Sequence, residues 1–228
     1  MKVTLSFEES SSGDVSIMVD ALRASTTITL ALNNFERIIP CFTPEEALSL
    51  KEKTGGILAG ERNGKQIEGF EIGNSPSKIK DFETSEDTLI LTTTNGTRIL
   101  ENMNSKVLVG SMVNAKSVGL KSIQLASSHI DVVMAGVKGK FAIEDFLAAG
   151  EILYWISENL NECELSEYAQ TAILATRDYE LAKEAFINSR TAKRLIELGY
   201  LEDVELSVLR NITDNVAIYH DNELTLYM

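Results

Sequence analysis

Short apolar runs alternate with longer amphipathic stretches over the first 160 residues. The apolar runs predict strands at residues 2–7, 15–19, 37–40, 56–59, 88–91, 106–109 and 130–135. The stretches between them predict helices at residues 26–33, 43–53, 96–102, 113–122 and 143–159. The polar segment 8–14 favours a hairpin or an adjacent pair for the first two strands, and the glycine-rich segment 60–77 predicts a loop.

The pattern changes beyond residue 160. Residues 166–199 are helical in pattern nearly throughout, with inner faces that carry Leu174, Leu181, Ala185, Leu195 and Leu198. Strands are then predicted at residues 204–209 and 215–219, with an edge strand at 223–227. We therefore expect one α/β domain over residues 1–228. It is a three-layer α/β/α fold with a mixed, largely parallel sheet and a helical C-terminal segment, in which residues 160–200 form a cap or a small subdomain.

Composition and charge narrow the class of protein. The chain has 228 residues, 44% of them hydrophobic, without a membrane-length apolar run or a signal-peptide pattern. Its two cysteines form no CxxC motif, so we expect a cytoplasmic protein without disulfides. The net charge of −13 disfavours nucleic acid and anionic membranes as partners, although an acid-rich cytosol would also explain it. A small anionic ligand remains compatible with this net charge. A homodimer is also an open alternative.

The stretch VSIMVDALRASTT, residues 15–27, combines three anion- and metal-binding chemistries at one strand end. Asp20 offers a carboxylate to a divalent cation, and Arg23 offers a guanidinium to a phosphate or a sulfonate. Ser25 and Thr26 lie at a helix start, where unpaired N–H groups attract anions. Taken alone, however, the stretch fits a capped helix beside a solvated arginine.

Similar junctions follow other predicted strands: AGERN, GFEIGNSPS (in which Ser75 caps a helix starting at Pro76), TTTNGTR, GSMVN and GVKGKFAIED. Carboxyl ends of parallel strands share one sheet edge, where open α/β sheets bind their ligands. We therefore predict one cleft lined by Asp20, Arg23, Glu61, Arg62, Asn74, Asn95, Arg98, Ser111, Glu144 and Asp145.

Each junction also has a purely structural explanation. Residues 92–97 suit a tight turn, because Asn-Gly favours positive φ. Glu61 and Arg62 suit a solvated ion pair, although the glycines around them would let a ligand approach. Glu144 and Asp145 suit the first turn of a helix, where acids complement the helix dipole. Lys138 and Lys140, in the last of these segments, suit charges on the protein surface.

Known phosphate-binding and phosphatase motifs are absent. The sequence has no GxxxxGK[ST] and no GxGxxG after a strand. A DxDxT phosphatase needs an acid where Leu22 stands, and neither cysteine is followed by an arginine at the spacing of a cysteine phosphatase. The only histidines, His129 and His220, are ordinary in context. Carboxylate-plus-metal chemistry remains, with Mg²⁺ as the best fit.

The segments VDALRASTTI, AGERNGKQIEGFEIGNSP, TTTNGTR, GSMVNA and AGVKGKFAIEDFLAAG, in this order, resemble the 2-phosphosulfolactate phosphatase family. SRTAKRLIELGYLEDV, residues 189–204, is similar to a weaker C-terminal signature of that family, with Thr191 and Ala192 where small residues are usual. The resemblance covers nearly the whole chain. It implies Mg²⁺-dependent hydrolysis of (2R)-phospho-3-sulfolactate to 3-sulfolactate and phosphate, a step of coenzyme M biosynthesis in methanogenic archaea.

We assign roles to residues on this basis. The catalytic candidates are Asp20, Arg23, Glu61 and Arg62. The substrate-binding candidates are Ser25, Thr26, Asn74, Ser75, Thr94, Asn95, Gly96, Arg98, Ser111 and Asn114. The metal-binding candidates are Asp20, Glu61, Glu144 and Asp145. Two alternatives remain: a phosphatase for another small phosphorylated acid, and a non-catalytic anion-binding protein.

Overall fold

The computed structural model describes residues 1–93, 99–100 and 103–227. Its strands are β1 Lys2–Phe7, β2 Val15–Val19, β3 Arg37–Cys41, β4 Ile57–Arg62, β5 Lys65–Gln66, β6 Thr88–Thr92, β7 Lys106–Gly110, β8 His129–Met134, β9 Glu164–Leu165, β10 Ala217–His220 and β11 Glu223–Leu226. Its helices are α1 Ala24–Ala31, α2 Pro44–Thr54, α3 Pro76–Ile79, α4 Ala115–Leu125, α5 Ile143–Asn159, α6 Glu167–Thr176, α7 Tyr179–Ile187, α8 Arg190–Glu197 and α9 Leu201–Ser207.

The described strands form one mixed sheet in the order β5-β4-β6-β3-β11-β10-β7-β2-β8-β1-β9. One parallel half contains β7, β2, β8, β1 and β9, and the other contains β3, β6 and β4. The antiparallel hairpin β10–β11 lies between the halves, so β3 runs opposite to β7. The α/β class and the mixed, largely parallel sheet are therefore confirmed, but the two halves point in opposite directions.

The curl of the sheet compensates for this reversal. Neighbouring strands twist by about 20–25°, so the six steps from β2 to β4 accumulate ~120–150°. That rotation turns β4 most of the way back towards the direction of β2, across α1. One apolar cluster accordingly contains side chains from both halves: Met18, Val133, Ala59 and Leu89. Residues of both halves, with Ile28 and Leu30 of α1, share this cluster, although the two sets of strand ends do not share a flat sheet edge.

Helix α1 is buried along its whole length although half of it is Ser and Thr. Three of its four hydroxyl groups donate to main-chain carbonyls, as Thr26 Oγ1 does to Ala21 O at 2.9 Å and Thr29 Oγ1 to Ser25 O at 2.8 Å, whereas Thr27 Oγ1 has no partner among the described residues. Such local bonds satisfy polar side chains that have lost contact with water. The helix can therefore occupy the centre of the fold.

A second core lies on the opposite face of β2 and β8. Alternate side chains of these strands, Ile17 and Val132, pack there against Ile152 of α5. Helices α6, α7 and α8 contribute Ala172, Phe186 and Leu195 to the same cluster. The helical C-terminal segment thus shares the core of the sheet. Among the described residues, no helix has both the length and the apolarity that a membrane crossing requires.

Several local predictions are wrong. β8 lies between β1 and β2, so these two strands form neither a hairpin nor a neighbouring pair. Residues 204–209 lie mostly in α9 instead of a strand, and β11 is paired on both sides instead of at an edge. Leu174 and Leu181 face outwards, with 66% and 64% of their surface exposed.

Two further predictions concern residues 60–77 and residues 96–102. The predicted loop at residues 60–77 begins inside β4 and includes β5, which form a hairpin. The predicted helix at residues 96–102 lies outside the described residues except at 99 and 100.

Gly150 provides a test of how α5 packs on α6. A Cβ at this position would overlap the carbonyl oxygen of Ala172 and lie 2.8 Å from Thr176 Cγ2. We expect Gly150→Ala to destabilise the protein by about 1–3 kcal/mol, because overpacking outweighs the gain in helix propensity. Urea denaturation would measure the change.

The control is Glu184→Ala at an exposed position of α7, which should shift the free energy of unfolding by less than ~0.5 kcal/mol. A Gly150→Ala variant that is as stable as the wild type would contradict the close packing of α5 on α6.

Candidate active site

Asp20 follows β2 directly and opens the turn into α1. Its main-chain N–H donates to Ser25 Oγ at 2.8 Å, and its carbonyl accepts from Ser25 N at 2.8 Å. Ser25 and Thr26 are fully buried and hold this turn through such bonds. These two predicted substrate-binding hydroxyls therefore shape the loop that presents the Asp20 carboxylate.

The Asp20 carboxyl lies in an unusual electrostatic environment. Burial is the main cause that raises its pKa to about 7, and the neighbouring carboxylates of Glu61 and Glu144 raise it further. The Ala24 N–H, 3.4 Å from Asp20 Oδ1, and the Arg23 guanidinium act in the opposite direction. The site is therefore short of positive charge, and a proton or a cation would stabilise it.

Asp145, in the first turn of α5, is buried beside Asp20. Its Oδ1 accepts from Ala21 N at 2.8 Å and its Oδ2 from Gly136 N at 2.9 Å. Burial, with the charges of Asp20 and Glu144, raises its pKa well above the usual value. Asp145 thus connects the turn after β2 to the loop after β8, and the predicted acids converge on this side of the site.

Glu61 comes from the other half of the sheet, near the end of β4. Its Oε2 accepts from Gly64 N at 2.7 Å across the tip of the β4–β5 hairpin. Asn63 and Gly64 both have positive φ, as two-residue hairpin loops favour. The hairpin therefore fixes the Glu61 carboxylate close enough to Asp20 to affect its pKa.

Arg23 links these elements and is itself buried, with 4% of its surface exposed. Its Nη1 bonds Asp203 Oδ2 of α9 at 2.8 Å, and its Nη2 donates to Gly64 O at 2.9 Å. The guanidinium also stacks 4.5 Å from the ring centre of Tyr200. Arg23 therefore joins the turn after β2, the β4–β5 hairpin and α9.

Asp203 extends this connection to α3. Its Oδ1 accepts from Ser75 Oγ at 2.7 Å, Ser77 N at 3.1 Å and Ser77 Oγ at 2.5 Å. Helix α3 begins at Pro76 as predicted, but Ser75 bonds Asp203 rather than capping the helix. Ser75 is thus occupied in fixing α9.

A cleft of about 680 Å³ opens above Asp20. Its residues are Asp20, Leu22, Arg23, Glu61, Asn63, Gly64, Asn74, Thr93, Val137, Lys138, Arg190, Thr191, Arg194 and Leu195. The floor contains the buried side chains of Asp20, Glu61 and Asn74, and the mouth contains the exposed side chains of Lys138, Arg190 and Arg194. The cations at the entrance suit a small anionic ligand, whereas the carboxylates at the floor would repel it unless a cation lay between them.

Asn74 gives independent support for a polar ligand. Only 4% of its surface is exposed, and its Oδ1 has no hydrogen-bond partner among the described residues. A buried amide group left unpaired costs about 1–3 kcal/mol. A cation, or a water or ligand group that donates a hydrogen bond, would satisfy this oxygen.

Five other predicted site residues do not line the described part of the cleft: Arg62, Ser111, Asn114, Glu144 and Asp145. The Arg62 guanidinium donates to Phe42 O at 2.5 Å and Thr92 Oγ1 at 3.0 Å. Ser111 and Asn114 bond each other at 2.9 Å and support β7. The predicted residues Thr94, Asn95, Gly96 and Arg98 lie outside the described residues.

The sequence prediction missed the arginines of α8. Arg190 and Arg194 lie in a segment that follows no strand of the sheet, so the search of strand ends did not include them. The signal was the segment 189–204, whose similarity to a family signature indicated a role. Lys138 was interpreted as a surface charge, yet it lines the cleft.

The donor set at the floor has the chemistry of a magnesium site. Mg²⁺ prefers oxygen ligands and is commonly held by one or two carboxylates together with water and substrate phosphate. Among the described residues, no group of three or more His, Cys, Asp or Glu side chains has the spacing of a metal site. Asp20 and Glu61 both line the cleft and could contact an ion there, with Glu144 and Asp145 as further buried acids nearby.

The fold and the cleft define an α/β protein with an acidic, arginine-rimmed site for a small anion. The model of the 2-phosphosulpholactate phosphatase family matches residues 3–222, and the chain belongs to that family of phosphoric monoester hydrolases. The resemblance found in the sequence is thus confirmed.

Curated relatives match over most of their length. The chain is 46% identical to the 2-phosphosulfolactate phosphatase of Methanothermobacter thermautotrophicus, covering 99% of the chain and 96% of that protein. It is 35% identical to the 2-phosphosulfolactate phosphatase of Methanocaldococcus jannaschii, covering 93% and 92% respectively. It is also 35% identical to a probable 2-phosphosulfolactate phosphatase of Clostridium acetobutylicum, covering 95% and 94%.

The ion pair between Arg23 and Asp203 yields a stability prediction. Asp203→Ala would leave the buried guanidinium uncompensated and remove the acceptor of Ser75 and Ser77. We expect a loss of about 3–5 kcal/mol in the free energy of unfolding, measured by urea denaturation.

The control is Glu205→Ala, an exposed acid on the same helix, which should cost less than ~0.5 kcal/mol. Equal effects of the two substitutions would show that the buried pair has no special role.

Proposed function

We propose that this protein hydrolyses 2-phospho-3-sulfolactate to 3-sulfolactate and phosphate in a Mg²⁺-dependent reaction. The observation that carries the proposal is the match to proteins named for this activity over almost the whole chain. The cleft is consistent with it, because the substrate carries phosphate, sulfonate and carboxylate groups and requires cationic contacts around an acidic floor. The proposed pathway is coenzyme M biosynthesis, and the proposed compartment is the cytoplasm.

The proposed arrangement brings the phosphoryl group to the floor of the cleft. Asp20 and Glu61 would hold Mg²⁺ there, and the bound ion would neutralise phosphoryl oxygens and position water. A bound divalent cation would also stabilise the charged form of Asp20, whose pKa is raised by burial and by the neighbouring carboxylates. Asn74 would use its unpaired carbonyl oxygen to contact the ion or a water bound to it.

We assign Arg23 a positioning role, in contrast to an unpaired arginine that binds the phosphate directly. Its guanidinium already binds Asp203 and Gly64 O, and it lowers the pKa of Asp20 electrostatically. It would orient the two carboxylate-bearing loops and supply fixed positive charge beside the reacting group. Fixed charges of this kind need no reorganisation during the reaction.

The direct test is phosphate release from purified protein. With Mg²⁺, we expect turnover of 2-phospho-3-sulfolactate that is faster than that of 2-phospholactate or phosphoglycolate, because these lack the sulfonate. EDTA should stop the reaction and excess Mg²⁺ should restore it. Preferred turnover of another acid would change the substrate, and binding without turnover of any acid would indicate an anion-binding protein.

Asp20→Asn tests the role of the floor. We expect kcat/KM to fall by at least about 10²-fold, because even groups that only support a metal ligand contribute about 10- to 100-fold. The thermal unfolding temperature should stay near or above that of the wild type, because the substitution removes a buried negative charge. Calorimetric binding of Mg²⁺ alone should weaken at the same time.

Asp81→Asn, at an exposed position, is the matched control and should leave both Mg²⁺ binding and activity unchanged. Wild-type Mg²⁺ affinity in Asp20→Asn would show that Asp20 does not bind the ion.

A further inference from the structure

The cations that line the described part of the cleft differ in their availability to a ligand. Arg23 is bound to Asp203 and Gly64, and Arg194 pairs with Glu197 at 3.4 Å. Arg190 and Lys138 make no ion pair or side-chain hydrogen bond to any described residue. These two side chains are therefore the cationic groups of the mouth that a ligand would meet without displacing a partner.

Arg190 projects from a well-fixed backbone. Ser189 caps α8, its Oγ accepting from Ala192 N at 3.1 Å. Ala192 and Leu195 then pack into the main core, with 0% and 4% of their surface exposed. The helix start is thus anchored, although the Arg190 side chain itself is exposed.

Lys138 projects from a tight turn that also lines the cleft. Val137 and Lys140 exchange two main-chain hydrogen bonds, of 2.9 and 3.1 Å, and close the turn. Lys138 and Gly139 between them have φ of 52° and 72°. The turn therefore holds Lys138 at the mouth.

We propose that Arg190 and Lys138 bind the sulfonate and so determine which phosphorylated acid is accepted. This inference rests on the proposed function, because it assigns the phosphoryl group to the floor. A phosphoryl group near Asp20 and Glu61 leaves the rest of the molecule towards the mouth. The sulfonate stands one bond further from the phosphoryl group than the carboxylate does, so it reaches furthest outwards.

The chemistry of the two side chains suits this group. A guanidinium can donate two parallel hydrogen bonds to a pair of oxygens of an oxyanion, and an ammonium adds a compact positive charge. The sulfonate takes no part in the reaction. Its binding energy is therefore common to ground and transition states and should appear mainly in KM.

The test compares Arg190→Met with Arg177→Met, an arginine at an exposed position outside the cleft. For 2-phospho-3-sulfolactate, Arg190→Met should raise KM about 10- to 100-fold with little change in kcat. For 2-phospholactate, which lacks the sulfonate, both constants should stay the same. Arg177→Met should match the wild type on both substrates, and Lys138→Met should repeat the Arg190→Met pattern more weakly.

Two kinetic outcomes would overturn the inference. An unchanged KM in Arg190→Met would show that the side chain does not contact the substrate. An equal loss on both acids would show that it acts on the phosphoryl group or on the fold.

A binding measurement separates this inference from the proposed function. Calorimetry with 3-sulfolactate and with lactate needs no turnover. Arg190-dependent binding of 3-sulfolactate alone would support the sulfonate site even if the wild type hydrolysed neither phosphorylated acid. Binding that is independent of Arg190, or no binding at all, would refute it.

Discussion

The buried contact of Arg23 with Asp203 is the interaction on which the cleft depends. It joins the turn after β2 to α9, while Gly64 O brings in the β4–β5 hairpin. These elements come from both halves of a sheet whose strands run in opposite directions. A charge pair with almost no exposure to water is geometrically strict, since separating the partners would leave both charges unsolvated. It therefore positions Glu61 beside Asp20 and brings α8 to the mouth of the cleft.

The buried acids that define the floor have a cost in stability. The pKa of Asp20 is raised to about 7 because burial and neighbouring carboxylates disfavour its charge. A carboxyl group whose pKa is higher in the folded than in the unfolded protein binds more protons when folded, so its contribution to stability falls as pH rises towards 7. Natural proteins accept such costs at functional sites. The fold offsets this one with a large apolar core on both faces of the sheet.

The sequence predicted most elements, because apolar runs and capped helices are local signals. It also indicated the family and predicted that Asp20, Glu61 and Asn74 share one cleft, which the structure confirms. It could not show the direction of β3, because the reversal depends on a hairpin formed by the last strands of the chain. It assigned α9 to a strand because Val, Leu and Glu alternate there without a helical period. Arg62 looked like a ligand because it adjoins Glu61, but adjacent residues of a strand point to opposite faces.

Hydrogen exchange of an Arg23→Met/Asp203→Asn double variant tests the account most directly, because this neutral pair removes the linkage without leaving a buried charge. We predict faster exchange at the amides of residues 62–66 and 190–203, with protection in α2 unchanged. Unchanged exchange in both segments, or a uniform increase that includes α2, would contradict the claim that this pair assembles the cleft.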